Sequence, residues 1–293
     1  MSKRKHRKRL PEPCERVSVE SLSHDGRGVA HVDGKTVFID GALPGEEVGF
    51  EYLTTRRSFD EGRATTIHHP SPDRVEPPCA HFGVCGGCSL QHLDPLVQIR
   101  VKQDQLREAM TQIGRVQPET WLEPLHSPVH RGYRRKARLG VKYVSKKGRV
   151  LVGFRERASS FVTDLSRCEV LHPRVGMLIP ALGELIASLS IRERVPQIEM
   201  AMGDEACVLV FRVLEPPSEA DREALARFGE QQLIEVYLQE AGPDSVRPLS
   251  GLPARLSYRL PEYGVEMQFL PTAFAQLNID INRLMVRRAL QLL

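Results

Sequence analysis

This 293-residue sequence contains no apolar run approaching the ~20 residues that span a bilayer. No membrane span is expected. The basic opening, residues 3–9, is followed by no apolar core of the kind a secretion signal needs. Cysteine is scarce, six in the whole chain. That number excludes a disulfide-stapled scaffold and points to a reducing, cytoplasmic setting. Tryptophan occurs once. No G-x-G-x-x-G motif follows a predicted strand, so the glycine loop of a complete nucleotide-binding fold is not found. Large net charge is also missing: the formal value is only +4.

The charge that exists is unevenly placed. Residues 3–9 carry six Lys/Arg, and residues 131–149 carry nine more with no acid, which leaves the remainder at −11. Cationic character gathered into two segments is what a polyanion partner requires.

The scarce cysteines are also gathered. Cys79, Cys85 and Cys88 form a C-x5-C-x2-C run that contains Gly83, Gly86 and Gly87, and Cys168 follows far downstream. Glycines let the backbone fold tightly around a group held by thiolates. Soft thiolates select zinc, copper(I) or an iron–sulfur cluster. A structural zinc site usually shows paired knuckles, and only Cys85/Cys88 make one. Three near cysteines and one remote fit a cluster better. His81 and His92 are nearer rivals to Cys168 as fourth ligand. Cys14 and Cys207 have unremarkable surroundings, and Cys207 opens an apolar run that suits a small buried hydrophobe.

The pattern predicts an α+β multidomain chain. Residues 1–13 read as a disordered basic arm with nonspecific RNA affinity. Residues 14–69 read as about five short strands, a small barrel of the oligonucleotide-binding type, with Arg27, Arg56, Arg57 and Arg63 on loops and edges. A linker with four prolines covers 70–78. A helix is expected over 94–114, capped by Asp94 and stopped by Gly114, with Leu96, Ile99, Leu106, Met110 and Ile113 as its apolar face. Residues 133–168 read as a strand meander turning at 145–148. Arg134, Lys136, Arg138 and Lys142 are expected on one face as a cationic stripe for phosphates, and Leu139, Val141 and Tyr143 on the other. One helix is expected over 174–190. A hairpin follows around 203–205, then a helix from Ser218 with Asp221 in a capping box. Strands are expected at 233–238 and 266–270, and a helix from Ile279.

The order of small barrel, cysteine run, remote cysteine and then Phe274, Gln276 and Asn278 in an F-x-Q-x-N segment resembles the ribosomal-RNA uracil-C5 methyltransferases of the RlmD type. The cysteine set and the F-x-Q-x-N segment carry the resemblance more specifically than the barrel does. It implies a TRAM barrel over 14–69 and an iron–sulfur and central RNA-binding domain over 70–262. It also implies the start of a Rossmann-like methyltransferase domain over 263–293, against which the 94–114 helix would pack. Cys79, Cys85, Cys88 and Cys168 would hold a [4Fe–4S] cluster, Phe274 would lie near a flipped uracil, and Gln276 would contact S-adenosylmethionine. The implied partner is 23S ribosomal RNA, and a monomer is expected.

The same resemblance leaves the chain without a catalytic residue. Uracil C5 needs a thiolate added at C6 before it can attack a methyl sulfonium, and a base must then remove the C5 proton. Neither Cys14 nor Cys207 suits that role. The chain therefore reads as the N-terminal portion of such an enzyme, inactive alone. Two alternatives stay open: an RNA-binding iron–sulfur module without catalysis, and a relative that acts on transfer RNA or another ribosomal uracil. A radical enzyme would need C-x3-C-x2-C, which the spacing does not match.

Overall fold

The computed structural model describes residues 10–293, so the basic segment 3–9 lies outside the described residues. The architecture is α+β and divides into two compact units. One comprises the chain up to Gly83 and Cys88–Pro124, the other Val84–Gly87 and Leu125–Leu293.

In the first unit, β1 (Cys14–Ser18), β2 (Ser21–Leu22), β3 (Gly28–Val32), β4 (Lys35–Asp40), β5 (Glu47–Thr55) and β6 (Phe59–His69) make one sheet. Its order is β1-β5-β6-β4-β3-β2, and β4 and β6 run parallel. The two edge strands, β1 and β2, are joined by Val19 and Glu20 alone. The Val19 N–H donates to the Glu46 carbonyl and the Glu20 N–H to the Val29 carbonyl. One bent strand therefore crosses from one edge of the sheet to the other, which closes the barrel and removes its edges. This bend is why six strands appear where the sequence suggests about five. Val19, Ala30, Val37, Ile39, Ala42, Val48 and Phe50 fill the interior.

The proline-rich linker is fastened to this barrel by a buried ion pair. Arg74 donates through Nε to Glu46 Oε1 at 2.5 Å and through Nη2 to Oε2 at 2.7 Å, and the Leu43 and Ser71 amides donate to the same carboxylate. Burial alone would raise the Glu46 pKa, but these donors outweigh it and hold the carboxyl below its usual range.

Helix α1 (Pro95–Glu108) starts where Asp94 Oδ1 accepts from the Leu96 and Val97 amides. It continues as a π-helical turn, Ala109–Gly114, and ends at Arg115, which takes φ 52°. Its expected apolar face is not buried. No residue of α1 is buried, and Leu96, Leu106 and Ile113 are exposed. Polar anchors hold it instead: Gln105 Nε2 donates to the Leu22 and Ser23 carbonyls, and Gln98 Nε2 to those of Leu90 and Leu93.

The second unit contains β7 (Lys136–Val144), β8 (Arg149–Gly153), α2 (Pro173–Gly176), α3 (Ile179–Ser188), β9 (Gln197–Met202) and β10 (Cys207–Arg212). These are followed by α4 (Glu219–Gln232), β11 (Glu235–Gln239), β12 (Val246–Pro248), β13 (Ser257–Leu260), β14 (Val265–Gln268) and α5 (Ile279–Leu292). The main sheet runs β12-β11-β10-β9-β7-β8, with β10 and β11 parallel across the α4 crossover. Leu139, Val152, Ile198, Met200, Phe211 and Leu238 on one face meet Ile179, Leu182 and Ile186 of α3 and Leu225 of α4. On the other face Ala201, Val208, Val210 and Tyr237 receive Leu256, with Phe269 packed beside them.

The single helix expected over 174–190 is two helices. Pro180 has no N–H to give to the Gly176 carbonyl, which instead accepts from the Cys168 amide at 2.9 Å. Helix α4 begins as expected, with a complete Ser218–Asp221 capping box. No described helix is long and apolar enough to cross a membrane.

Candidate functional site

The cysteine run passes from one unit to the other and back. Cys79 and Cys88 fall in the barrel unit, Cys85 and Cys168 in the sheet unit. All six cysteines are free of disulfides. Cys85 is buried, and its Sγ accepts from the Gly87 amide at 3.4 Å. Its two turn neighbours press closely on a second loop: a Cβ on Gly86 would meet the Arg155 carbonyl at 2.9 Å, and one on Gly87 the Phe154 ring at 3.0 Å. An amide aimed at sulfur and an apolar wall suit a thiolate ligand. Among the described residues, however, no group of three or more His, Cys, Asp or Glu side chains is assembled to hold a metal ion. Cys207 is 1% exposed, and burial pushes its thiol up to about 11, only partly offset by Arg174. That thiol cannot act as a thiolate near neutral pH.

Strand β7 alternates as expected, with Ala137, Leu139 and Val141 buried and Arg138 and Lys142 exposed. The stripe is less free than its sequence suggests. Arg138 pairs with Glu199 on β9 at 2.9 Å. Arg134, which precedes β7, donates through Nε to the Lys136 carbonyl and lies over the Phe154 ring. Lys136 Nζ donates to the carbonyls of Pro271 (3.2 Å) and Ala273. Burial lowers the Lys136 pKa, Arg138 adds to this, and Glu199 opposes it. On the barrel, Arg27 is committed to Asp25, Glu61 and the Phe38 ring, while Arg57 and Arg63 are exposed.

Lys136 thus grips the segment that carries the other two candidates. Phe274 is 83% exposed and Gln276 is also exposed. The segment is held on both sides of them. The Arg135 amide donates to the Leu277 carbonyl at 3.1 Å. Asn278 caps α5 by accepting from the Asp280 and Ile281 amides, and its Nδ2 donates to Ser127.

Sequence reasoning missed the hub behind this arrangement. Asp204 accepts from Arg135 Nη1 at 2.6 Å, from the Arg259 amide at 2.9 Å and from Arg283 of α5 at 3.3 Å. Burial would raise its pKa, but these donors win and lower it. An acid in a glycine-led turn, Gly203-Asp204-Glu205, was the available signal. The hub orients a segment whose exposed phenyl ring and carboxamide can meet a planar base or a polar ligand.

Comparison with known proteins gives three findings. Residues 14–49 match the TRAM domain family model. The chain is 57% identical over 98% of its length to the protein named 23S rRNA (uracil(1939)-C(5))-methyltransferase RlmD of Nitrosococcus oceani, and 51% identical over 98% to that of Methylococcus capsulatus. It spans 64% and 65% of the length of these relatives. Among solved structures it resembles the Pyrococcus abyssi tRNA (uracil-54, C5)-methyltransferase in complex with S-adenosyl-L-homocysteine. The TM-score is 0.68 at 20% identity, covering 95% of this chain and 65% of that one, and this likeness concerns the fold.

Proposed function

We propose that this chain, a relative of the RlmD-type methyltransferases along nearly its whole length, serves the S-adenosylmethionine-dependent C5-methylation of a uracil in 23S ribosomal RNA. The observation that carries the reading is the 57% identity over 98% of the chain. In this reading the barrel at 14–69 and the central region at 70–262 capture RNA in the cytoplasm. Residues 263–293 begin the methyltransferase domain.

Cys79, Cys85, Cys88 and Cys168 are assigned as ligands of a [4Fe–4S] cluster, supported by the soft donor set and by the Gly87 amide directed at Cys85. No transfer step runs through that cluster. S-adenosylmethionine, when bound, supplies the methyl group, and Gln276 is assigned to its wall. Phe274 is assigned to the extruded uracil, because chemistry on a base requires that it leave its stack. The thiolate that must add to uracil C6 is neither Cys14 nor Cys207, and no other residue of this chain is assigned as catalyst. Arg138 and Arg134 remain the candidates for phosphate, and Lys136 joins them only if it leaves its carbonyl partners.

The test is purification without oxygen followed by metal analysis and RNA binding. About four iron atoms per chain are expected, with tighter binding to a 23S rRNA fragment containing uracil 1939 than to a transfer RNA. One zinc and no iron would overturn the cluster. Preference for transfer RNA would move the chain to the branch that the structural neighbour's name describes.

A further inference from the structure

We infer that the hairpin between Phe154 and Thr163 carries a base-stacking site for single-stranded RNA, with Phe161 as its platform. The inference rests on the RNA-binding reading above and assigns a contact that the reading does not contain. Phe161 is 72% exposed. A single exposed ring is ordinary on a protein surface, and this one is set apart by the hydrogen-bonded loop that presents it.

The loop that displays it is tightly built. The Thr163 amide donates to the Phe154 carbonyl at 2.8 Å and the Glu156 amide to the Phe161 carbonyl at 2.9 Å. Arg155 and Val162 form a β-bridge. Within the tip, the Phe161 amide donates to Ser159 Oγ at 3.0 Å and Arg155 Nη1 to the Ser160 carbonyl at 3.0 Å. Ala158 takes a left-handed φ of 50° to close the turn. The outer strand of the hairpin is braced in turn by the cysteine run. The Gly86 amide donates to the Arg155 carbonyl at 2.8 Å, the Arg157 amide to the Val84 carbonyl at 2.9 Å, and Cys85 bridges Glu156.

Charge selects the occupant. The hairpin itself carries Arg155 and Arg157 against one acid, Glu156, and Arg134 lies 5.7 Å from the centroid of the Phe154 ring at its root, while Lys147 and Arg149 before it are paired with Asp164. Such a cationic setting suits a polyanion better than an apolar protein partner. An aromatic ring beside backbone-tracking cations is how single strands are held without sequence readout. Because the loop is ordered before binding, little ordering entropy opposes the contact. The arrangement also gives the Cys85 segment a task outside redox chemistry, which is to hold an RNA-contacting loop in place.

The experiment uses the whole chain prepared without oxygen. The probes are a fluorescein-labelled 23S rRNA fragment containing uracil 1939 and a blunt RNA duplex of equal length. Phe161→Ala should weaken binding of the fragment by about five- to 150-fold, the range that loss of one base–aromatic stack gives. Duplex affinity, salt dependence and iron content should not change. Phe161→Trp, made together with Trp121→Phe, should restore binding, and its fluorescence should be quenched by the fragment. Fragment affinity of Phe161→Ala within about two-fold of the parent overturns the inference while the RNA reading stands. Failure of the parent itself to bind the fragment overturns both. Conversion of a dimer to a monomer by Phe161→Ala, with RNA affinity unchanged, would assign the ring to self-association and likewise overturn the stacking site.

Discussion

Two segments of the sheet unit each lift a phenylalanine into solvent, and they are held by different chemistry. The hairpin that carries Phe161 is fixed by backbone hydrogen bonds, both its own and those to Val84 and Gly86. Among the described residues the segment that carries Phe274 has no strand partner, and besides the Arg135 amide on the Leu277 carbonyl it is fixed by side chains: Lys136 on two carbonyls, Asn278 on Ser127, and Arg135 through Asp204. Backbone bracing survives most side-chain substitutions but is sensitive to an added Cβ. Side-chain bracing has the opposite vulnerability. The cations at 135 and 136, which look like nucleic-acid contacts in sequence, serve here as internal fasteners.

The comparison breaks most severely at Asp204. Asp204→Ala leaves the guanidinium groups of Arg135 and Arg283 without their shared carboxylate, and a loss of about 3 kcal/mol is expected, read from urea unfolding. The pH dependence has a definite sign. The folded pKa of Asp204 is lowered, so its contribution is present above the unfolded carboxylate value and is lost as pH falls through the folded one. Hydrogen exchange over 271–278 should accelerate in acid before that over 154–163. If both segments loosen together, the two are not separately held.

Lys136→Met comes next, at about 2 kcal/mol for hydrogen bonds from a charged donor. Its effect should fall on 271–278 and leave 154–163 protected. Gly86→Ala is the mirror experiment. The added methyl would meet the Arg155 carbonyl at 2.9 Å, and forcing it in costs about 1–2 kcal/mol. That variant should speed exchange in the Phe161 hairpin and spare the Phe274 segment. Protection factors that change in the same segment for both variants would remove the distinction.

Much of this was legible in the sequence, and the misses have a common cause. The alternation through Leu139 and Val141, the Asp94 cap and the Ser218–Asp221 box are local, and each element formed where its pattern placed it. The TRAM match over 14–49 and the relatives agree with the resemblance drawn from the cysteine run and the F-x-Q-x-N segment. Periodicity states which residues share a face but not what meets that face: the apolar side of α1, expected to pack on the methyltransferase domain, is not buried here. The break at Pro180 was readable from one residue, yet the surrounding apolar spacing concealed it. The Asp204 hub joins residues 69 apart in the chain to Arg135, and no spacing rule connects them.

Arg138 shows the same limit on a smaller scale and gives the weakest expected effect. Read along β7 alone, the stripe has no acid. The neighbouring strand β9 places Glu199 against it, with the Arg138 side chain still 69% exposed. An exposed pair of that kind contributes under about 1 kcal/mol, so Arg138→Ala should scarcely alter the unfolding midpoint. Its guanidinium can still reach a phosphate, because a surface pair exchanges partners at little cost. If it does, Arg138→Ala should reduce the salt slope of RNA binding by about one unit. Lys136→Met should leave that slope unchanged, because its ammonium already faces two carbonyls. Measuring both slopes on one RNA fragment separates the cation that binds RNA from the cation that builds the site. A unit loss for Lys136→Met, with none for Arg138→Ala, would reverse the assignment and make the Phe274 segment an RNA-gated element.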